Sequence, residues 1–264
     1  MSVGEHQLFR EALANVVDWS MPQFQADAEK RDAYQAIFKP DPSLKLSPKQ
    51  SYEYSSYYWC RRLEVVFDRL ENIRRMMGRF PSKKKDEHKS VLLQEWIVYN
   101  YEMYTIVYQS ILDITLLLVN TIFVMGNPYK KCDYRTVYDN TRIDGTGVRR
   151  ILEKLSKTTS KYREGKNLLV HRGQRVKLPL ETETLDAIDI TNMAIKLGMD
   201  VDYIKESLLE FLSIHTRKQL LAVMEKECEE IESQIEELFD ELLPYYRMMR
   251  SFTIGAGTLA PPQP

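Results

Sequence analysis

Glycine, proline and cysteine are all scarce in this sequence of 264 residues. There are 10 Gly and 11 Pro, about 8% of the chain against a usual total of about 12%, so the residues that the many turns of an all-β protein need are few. The three cysteines, Cys60, Cys132 and Cys228, lie far apart and have no CxxC or Cys/His spacing. They form neither a disulfide framework nor a zinc knuckle. These scarcities favour a helical protein with thiols in a reducing compartment.

The local motifs of most enzyme classes are also missing. There is no GxxxxGK[ST] or GxGxxG run, and the one glycine-dense turn, Asp144 to Gly147, follows no credible strand. The four histidines have no HExxH or ExxH spacing, and no serine stands in a GxSxG elbow. We therefore predict no metal site and no cofactor. Glu5 and Glu11 interrupt the N-terminal region where a signal peptide would be basic and then apolar, so we expect a cytoplasmic protein.

The net charge is close to zero because opposite charges are separated along the chain. The total is 37 Lys and Arg against 38 Asp and Glu, but residues 130–177 hold 14 basic against 5 acidic residues, and residues 181–246 hold 5 against 17. A basic segment of this kind suits a phosphate backbone, although a solvated basic face is the common alternative. The acidic helices are expected either to pair with a basic face or to discourage nucleic-acid contact elsewhere.

Apolar residues recur at three- and four-residue steps through most of the chain, which predicts an all-α, antiparallel bundle of long helices. We predict an N-terminal helical appendage with a proline-rich connector over 1–45, a helical bundle over 46–250 and a loose tail over 251–264. The predicted helices are 5–19, limited by Pro22, then 26–38, 51–79, 91–125, one from Val148 past His171, and one or two from Val201.

Two helices need a choice between environments. The stretch 91–125 is apolar enough to suggest a membrane span, but Asp113 and Asn120 interrupt it, so we expect a buried helix and no membrane association. The stretch from Leu221 to Leu242 has a coiled-coil-like seam, which suits either an intramolecular helix pair or a dimer interface. The tyrosine clusters at 52–58 and 99–108 are expected in a core or interface rather than stacked on bases.

One polar cluster remains, in YREGKNLLVHRGQR, residues 162–175. On a helix, Asn167 and His171 share one face, with Arg163 and Lys166 one turn earlier. A histidine of ordinary pKa can move a proton to or from ribose and phosphate oxygens, and cations can stabilise a phosphorane. A histidine closing a helix C-terminus is the alternative reading.

The run Lys166-Asn167-Leu168-Leu169-Val170-His171 resembles the Arg-Asn-x-x-x-His signature of the HEPN superfamily. Members of that superfamily are all-α bundles that commonly dimerise and often act as metal-independent endoribonucleases. The resemblance implies His171 as general acid/base, Asn167 as the orienting or phosphate-binding group, and Lys166 as a catalytic cation. Arg163, Arg172 and Arg175 are expected to bind RNA or phosphate.

Lys166 departs from the signature because lysine lacks the bidentate fork of arginine. The resemblance implies a homodimeric, RNA-binding protein, with endoribonuclease activity in a defence or toxin–antitoxin setting and a regulatory protein partner. The alternative is a non-catalytic binding or scaffold protein that dimerises through its long helices.

Overall fold

A computed structural model describes residues 3–28, 46–80, 89–172, 190–191, 193–194, 197–199 and 206–252. Within these residues the regular structure is helical and no strand is found, so the all-α prediction is confirmed. The α-helices with described bounds are α1 (Gln7–Ala28), α2 (Pro48–Gly78), α3 (Lys89–Ile122), α4 (Tyr134–Tyr138), α5 (Val148–Ser160), α6 (Arg163–Arg172) and α7 (Glu206–Phe252).

The start of α2 shows how local sequence sets a helix boundary. Ser47 Oγ accepts from the Gln50 amide at 3.3 Å, and Gln50 Oε1 accepts from the Ser47 amide at 2.9 Å, which is a reciprocal capping box. Pro48 is the first helical residue, where a missing N–H costs nothing. The predicted helix 51–79 therefore begins three residues earlier than expected, because this capping box starts it at Pro48. The helix ends at Gly78, within one residue of the predicted end.

The apolar helix α3 is a core helix. Leu93–Ile122 is long and apolar enough to cross a membrane, yet 67% of its most apolar window is buried inside the protein. Asp113 is exposed, while Asn120 uses its side chain to close the helix end. Its Nδ2 donates to the Asn127 carbonyl and its Oδ1 accepts from the Asn127 amide, both at 3.2 Å. The two polar residues that argued against a membrane span thus lie at an exposed and a capping position.

Two prolines lie inside helices. The prediction that Pro22 limits the first helix is wrong, because α1 continues to Ala28. An interior proline cannot donate to the carbonyl four residues earlier, and its ring crowds that carbonyl. The residue at that position, Asp18, is exposed, so its carbonyl can tilt outward and bind water. Pro244 in α7 is accommodated in the same way, because Asp240, four residues before it, is also exposed.

Most of the predicted helix 26–38, and the tail from 253, lie outside the described residues.

The described chain divides into two compact units. The first comprises Met1–Val65, Ile111–Ser156 and Glu232–Pro264. In it the ring of Tyr52 stacks on that of Tyr246 with centroids 5.7 Å apart, and Asn15 donates to the Tyr246 hydroxyl at 2.9 Å. A buried carboxylate, Glu53, accepts from Arg250 Nε at 2.6 Å. This unit therefore joins the N-terminal helix α1 to α2 and α7 through both apolar and polar contacts.

The second unit comprises Val66–Ser110 and Lys157–Ile231. Trp96 Nε1 donates to the Met76 carbonyl at 2.9 Å, and Arg74 pairs with Glu225 at 2.7 Å. Tyr104 and Tyr108 on α3 both reach α7, as described below. This unit holds the whole of α6, the helix that carries the predicted site.

The apolar seam predicted from Leu221 to Leu242 lies on α7 and is filled within the chain. Met224, Ile231, Ile235, Leu238 and Leu242 are buried in the single chain, and Leu221 and Cys228 are half-buried. Of the two readings left open for this seam, the intramolecular one is confirmed.

Candidate functional site

The predicted site lies on a short separate helix, α6. We had expected one helix from Val148 past His171, but the chain turns at Lys161 and Tyr162 and splits this segment into α5 and α6. The Tyr162 amide donates to the Thr159 carbonyl at 3.2 Å, a tight bond of the 3₁₀ type, and the Tyr162 carbonyl accepts from the Lys166 amide at 2.9 Å. Tyr162 therefore ends one helix and begins the next.

Helix α6 presents most of its predicted site residues to solvent. Arg163, Asn167, His171 and Arg172 are exposed, and Lys166 is half-buried. No residue of α6 is fully buried. Asn167 and His171 are separated by one helical turn and share a face, with Arg163 one turn before them, as the spacing predicted. Arg175 lies outside the described residues.

The charges of α6 differ in their environment from those of α5. On α5, Arg150 and Lys154 both pair with Glu237 of α7, the latter at 3.0 Å. Within the described part of the chain, Arg163 and Arg172 have no ion-pair or hydrogen-bond partner. Glu237 of α7 therefore offsets charge on α5 within the chain, whereas at least two cations of α6 are available to an external anion.

The turn that precedes α6 ends on a single buried carboxylate. Glu227 of α7 accepts from the Tyr162 hydroxyl at 2.5 Å and from the Tyr104 hydroxyl at 3.1 Å, both through Oε2. Its Oε1 lies 2.8 Å from Lys161 Nζ. Tyr108 donates to the backbone carbonyl of the same residue at 3.3 Å. These residues form a connected polar cluster, which we call the Glu227 cluster, inside an otherwise apolar part of the core.

Burial controls the ionisation of the tyrosines around Glu227. Removal from water raises the pKa of Tyr101 to about 12 and raises the pKa of Tyr104, Tyr108 and Tyr162 further, with the Glu227 charge adding to the effect. The tyrosines therefore stay protonated and donate their hydrogens at any ordinary pH. The prediction that Tyr101, Tyr104 and Tyr108 lie in a core is confirmed, while Tyr99 is exposed.

Sequence reasoning missed Glu227 as a partner of the site helix. Two signals could have indicated it. It is an acidic residue within the apolar seam, between Met224 and Ile231, and Tyr101, Tyr104 and Tyr108 recur at helical spacing on one face of α3. Neither signal says that the two faces meet, because Glu227 and Tyr162 are 65 residues apart.

The glycine-dense turn before α5 is occupied by an acidic side chain. Glu241 Oε1 accepts from the Gly147 amide at 2.8 Å, and a Cβ at Gly147 would come within 2.9 Å of Glu241 Oε2. A carboxylate already sits where a phosphate would bind at this helix N-terminus. This agrees with the prediction that the turn is not a phosphate cradle.

His215 and the three cysteines are the remaining candidates considered among the described residues. His215 is exposed and lies 2.9 Å from the Gln219 amide nitrogen, as expected for a surface histidine. Cys60, Cys132 and Cys228 are free thiols. Among the described residues no three His, Cys, Asp or Glu side chains are grouped so that they could hold a metal ion.

The described residues thus form an all-α protein in which one exposed, cationic helix carries Asn167 and His171. A protein-family model, the HEPN_Cthe2314-like HEPN family, matches residues 59–243, which is most of the chain and includes all of α6. The protein belongs to this HEPN family. The N-terminal residues 1–45 lie outside the match. No curated protein and no solved structure matched the chain.

Proposed function

We propose that this HEPN protein binds RNA along α6 and cleaves it with His171 as the general acid/base, without a metal ion. The observation that carries the proposal is the exposure of Arg163, Asn167, His171 and Arg172 on one short helix, with the two arginines unpaired within the described chain. Cations that are unpaired within the chain can contact phosphates of an RNA backbone, whereas cations already neutralised by carboxylates gain less from such a contact.

The proposed chemistry is an internal transfer in RNA. His171 takes the proton of a ribose 2′-hydroxyl, whose oxygen attacks the adjacent phosphorus and forms a 2′,3′-cyclic phosphate. The bond to the 5′-oxygen breaks, and that oxygen receives a proton from an imidazolium. Lys166 and Arg163 stabilise the charge on the phosphorane, and Asn167 orients the imidazole or binds a phosphate oxygen.

Two copies of the chain would complete this site. One histidine cannot give and take a proton in the same step, whereas two-fold symmetry would bring two copies of His171 to one cleft. We therefore propose a homodimer in which the two α6 helices face each other. The seam on α7 is filled within the chain, and the exposed face of α6 is the surface that we propose for this contact.

The cellular role that we propose is that of an endoribonuclease in a defence or toxin–antitoxin system, in the cytoplasm and restrained by a regulatory protein partner. It is supported by the family and by the exposure of the site, since an open ribonuclease site in the cytoplasm requires restraint.

A second candidate is a HEPN protein that binds without cleaving. Lys166 favours it, because an ammonium group gives one point contact where the signature arginine gives a two-pronged clamp on phosphate. RNA binding with no cleavage by the wild-type protein would favour this candidate over the first.

Binding of a labelled single-stranded RNA, measured by anisotropy over a series of salt concentrations, tests the proposal. The variant Arg163→Ala/Arg172→Ala should bind more weakly, with a salt dependence reduced by roughly 0.7 per lost phosphate contact. Arg150→Ala/Lys154→Ala removes the same charge from α5, where it is neutralised by Glu237, and should retain most of the affinity. Equal losses in the two variants would contradict a site on α6.

A further inference from the structure

The connection between α5 and α6 consists of two residues, and both side chains end on the same carboxylate. Lys161 Nζ lies 2.8 Å from Glu227 Oε1, and the Tyr162 hydroxyl donates to Oε2 at 2.5 Å. Glu227 belongs to α7, which follows α6 in the chain. A single residue of another helix therefore fixes the whole turn from which α6 starts.

The turn is held by packing as well as by charge. The Tyr162 ring meets those of Tyr101, Tyr104 and Tyr108 edge-on, with centroids 6.2, 5.8 and 5.1 Å away. Lys161 Nζ lies 5.5 Å from the ring centres of Tyr108 and Tyr162, within the range of a cation–π contact. The Glu227 side chain is only 12% exposed. A buried carboxylate needs an opposite charge and hydrogen-bond donors, so this cluster tolerates few other arrangements of the turn.

Helix α6 itself is only shallowly packed against the other described residues. None of its residues is fully buried, and Leu168 and Leu169 are only half-buried. A ten-residue helix is marginally stable without tertiary packing. The turn at its N-terminus, by contrast, has both polar and aromatic contacts with the core.

We infer that Glu227 is a positioning residue for α6, which holds Lys161 and Tyr162 and thereby fixes the helix that carries Asn167 and His171. That this attachment matters for RNA binding and cleavage rests on the proposed function. That Glu227 holds the turn does not. It also removes Lys161 from the set of RNA-binding cations, because its charge is used by Glu227. The cluster thus connects core packing in the second unit with the geometry of the candidate site.

Amide hydrogen exchange of α5 and α6 tests this inference in the full chain. Tyr162→Phe removes one hydroxyl and keeps the ring, and Glu227→Gln keeps the shape and removes the charge. Both variants should speed exchange in α6 by roughly tenfold while α5 keeps its wild-type rates. Glu237→Gln is the control, because it removes an ion pair between α5 and α7 outside the turn, and should leave α6 unchanged.

Exchanging the charges of Lys161 and Glu227 tests whether their ion pair positions α6 or whether any change in the core loosens this helix. Glu227→Lys alone places two ammonium groups together, whereas Lys161→Glu/Glu227→Lys restores an opposite pair with tyrosine hydroxyls as acceptors. The double variant should recover slower exchange in α6 than Glu227→Lys alone. No difference between the two, or equal acceleration of α5 and α6 in Tyr162→Phe, would overturn the positioning role.

RNA binding of the same proteins separates this inference from the proposed function. If α6 loosens in Tyr162→Phe but wild-type protein does not bind a labelled single-stranded RNA, the attachment stands and the proposed function fails. If the wild type binds RNA and Tyr162→Phe changes neither exchange nor affinity, the inference fails and the proposed function stands.

Discussion

The Tyr162 hydroxyl donates a hydrogen bond to the Glu227 carboxylate, with 2.5 Å between the two oxygens. Tyr162 lies in the two-residue turn between α5 and α6, immediately before α6 begins, and Glu227 lies within the buried seam of α7. The turn that precedes the helix carrying His171 is thus attached to the core by this contact, together with the Lys161–Glu227 ion pair. The stability of this contact and the activity of α6 can be measured separately.

The first prediction concerns stability at high pH. Burial raises the pKa of Tyr108 above its ordinary value near 10, so the folded protein holds this proton more tightly than the unfolded chain does. The stabilisation is complete below pH 10 and is lost as the pH rises further, by roughly 1.4 kcal/mol per pH unit for each such tyrosine. Urea unfolding at pH 9, 10 and 11 should therefore show a falling free energy of unfolding.

Two variants check the origin of this slope. Tyr108→Phe removes one of the buried groups and should make the decline above pH 10 shallower. Tyr99→Phe removes a tyrosine that is 57% exposed and should leave the decline unchanged. Equal slopes for wild type and Tyr108→Phe would contradict the proposed cause.

The second prediction concerns Lys166. Arginine at this position would offer five donors in a planar fork that can hold two phosphate oxygens, so Lys166→Arg should bind single-stranded RNA several-fold more tightly and should raise any cleavage rate. Lys154→Arg makes the same exchange at a residue paired with Glu237 and should change neither. If Lys166→Arg alters neither binding nor cleavage, position 166 does not contact phosphate and the protein-binding alternative gains support.

The third prediction concerns the end of α3. The Met125 amide donates to the Asn120 carbonyl and the Val124 amide to the Thr121 carbonyl, both at 3.0 Å, which is a Schellman motif with Val124 at the position usually taken by glycine. Its φ is 51°, which is strained for a β-branched residue. Val124→Gly should raise the free energy of unfolding by about 1 kcal/mol.

Gly126 is the matched test at the same turn. Its φ is +74° and a Cβ there would meet nothing within 4 Å, so Gly126→Ala should lower the free energy of unfolding through backbone strain alone, by about 1 kcal/mol. A Val124→Gly variant that is less stable than wild type would show that the Val124 side chain contributes more than the strain costs.

The helices could be predicted from the sequence because their signals are local. The stripe from Leu63 to Met77 ends at Gly78, where α2 ends, and the apolar run with polar breaks at Asp113 and Asn120 is the core helix α3. The shared face of Asn167 and His171 follows from helical spacing alone. The continuation of α1 through Pro22 could not be predicted, because it depends on which side of the helix faces water.

The break between α5 and α6 is the clearest case of information that the sequence does not hold locally. Thr159, Ser160 and Lys161 contain no glycine or proline, and periodicity continues past them. The turn forms because Glu227, on a helix far along the chain, binds both Lys161 and Tyr162. The charge separation was visible in the sequence, but which cations α7 neutralises depends on the packing of α5 and α7.

Cleavage of RNA by the purified protein in the presence of EDTA tests the central claim most directly. We predict that the wild-type protein produces fragments ending in 2′,3′-cyclic phosphate, that His171→Ala abolishes them while still binding RNA, and that His215→Ala, at an exposed histidine of α7, cleaves as the wild type does. Cleavage by His171→Ala at the wild-type rate, or cleavage that requires a divalent metal ion, would contradict the account.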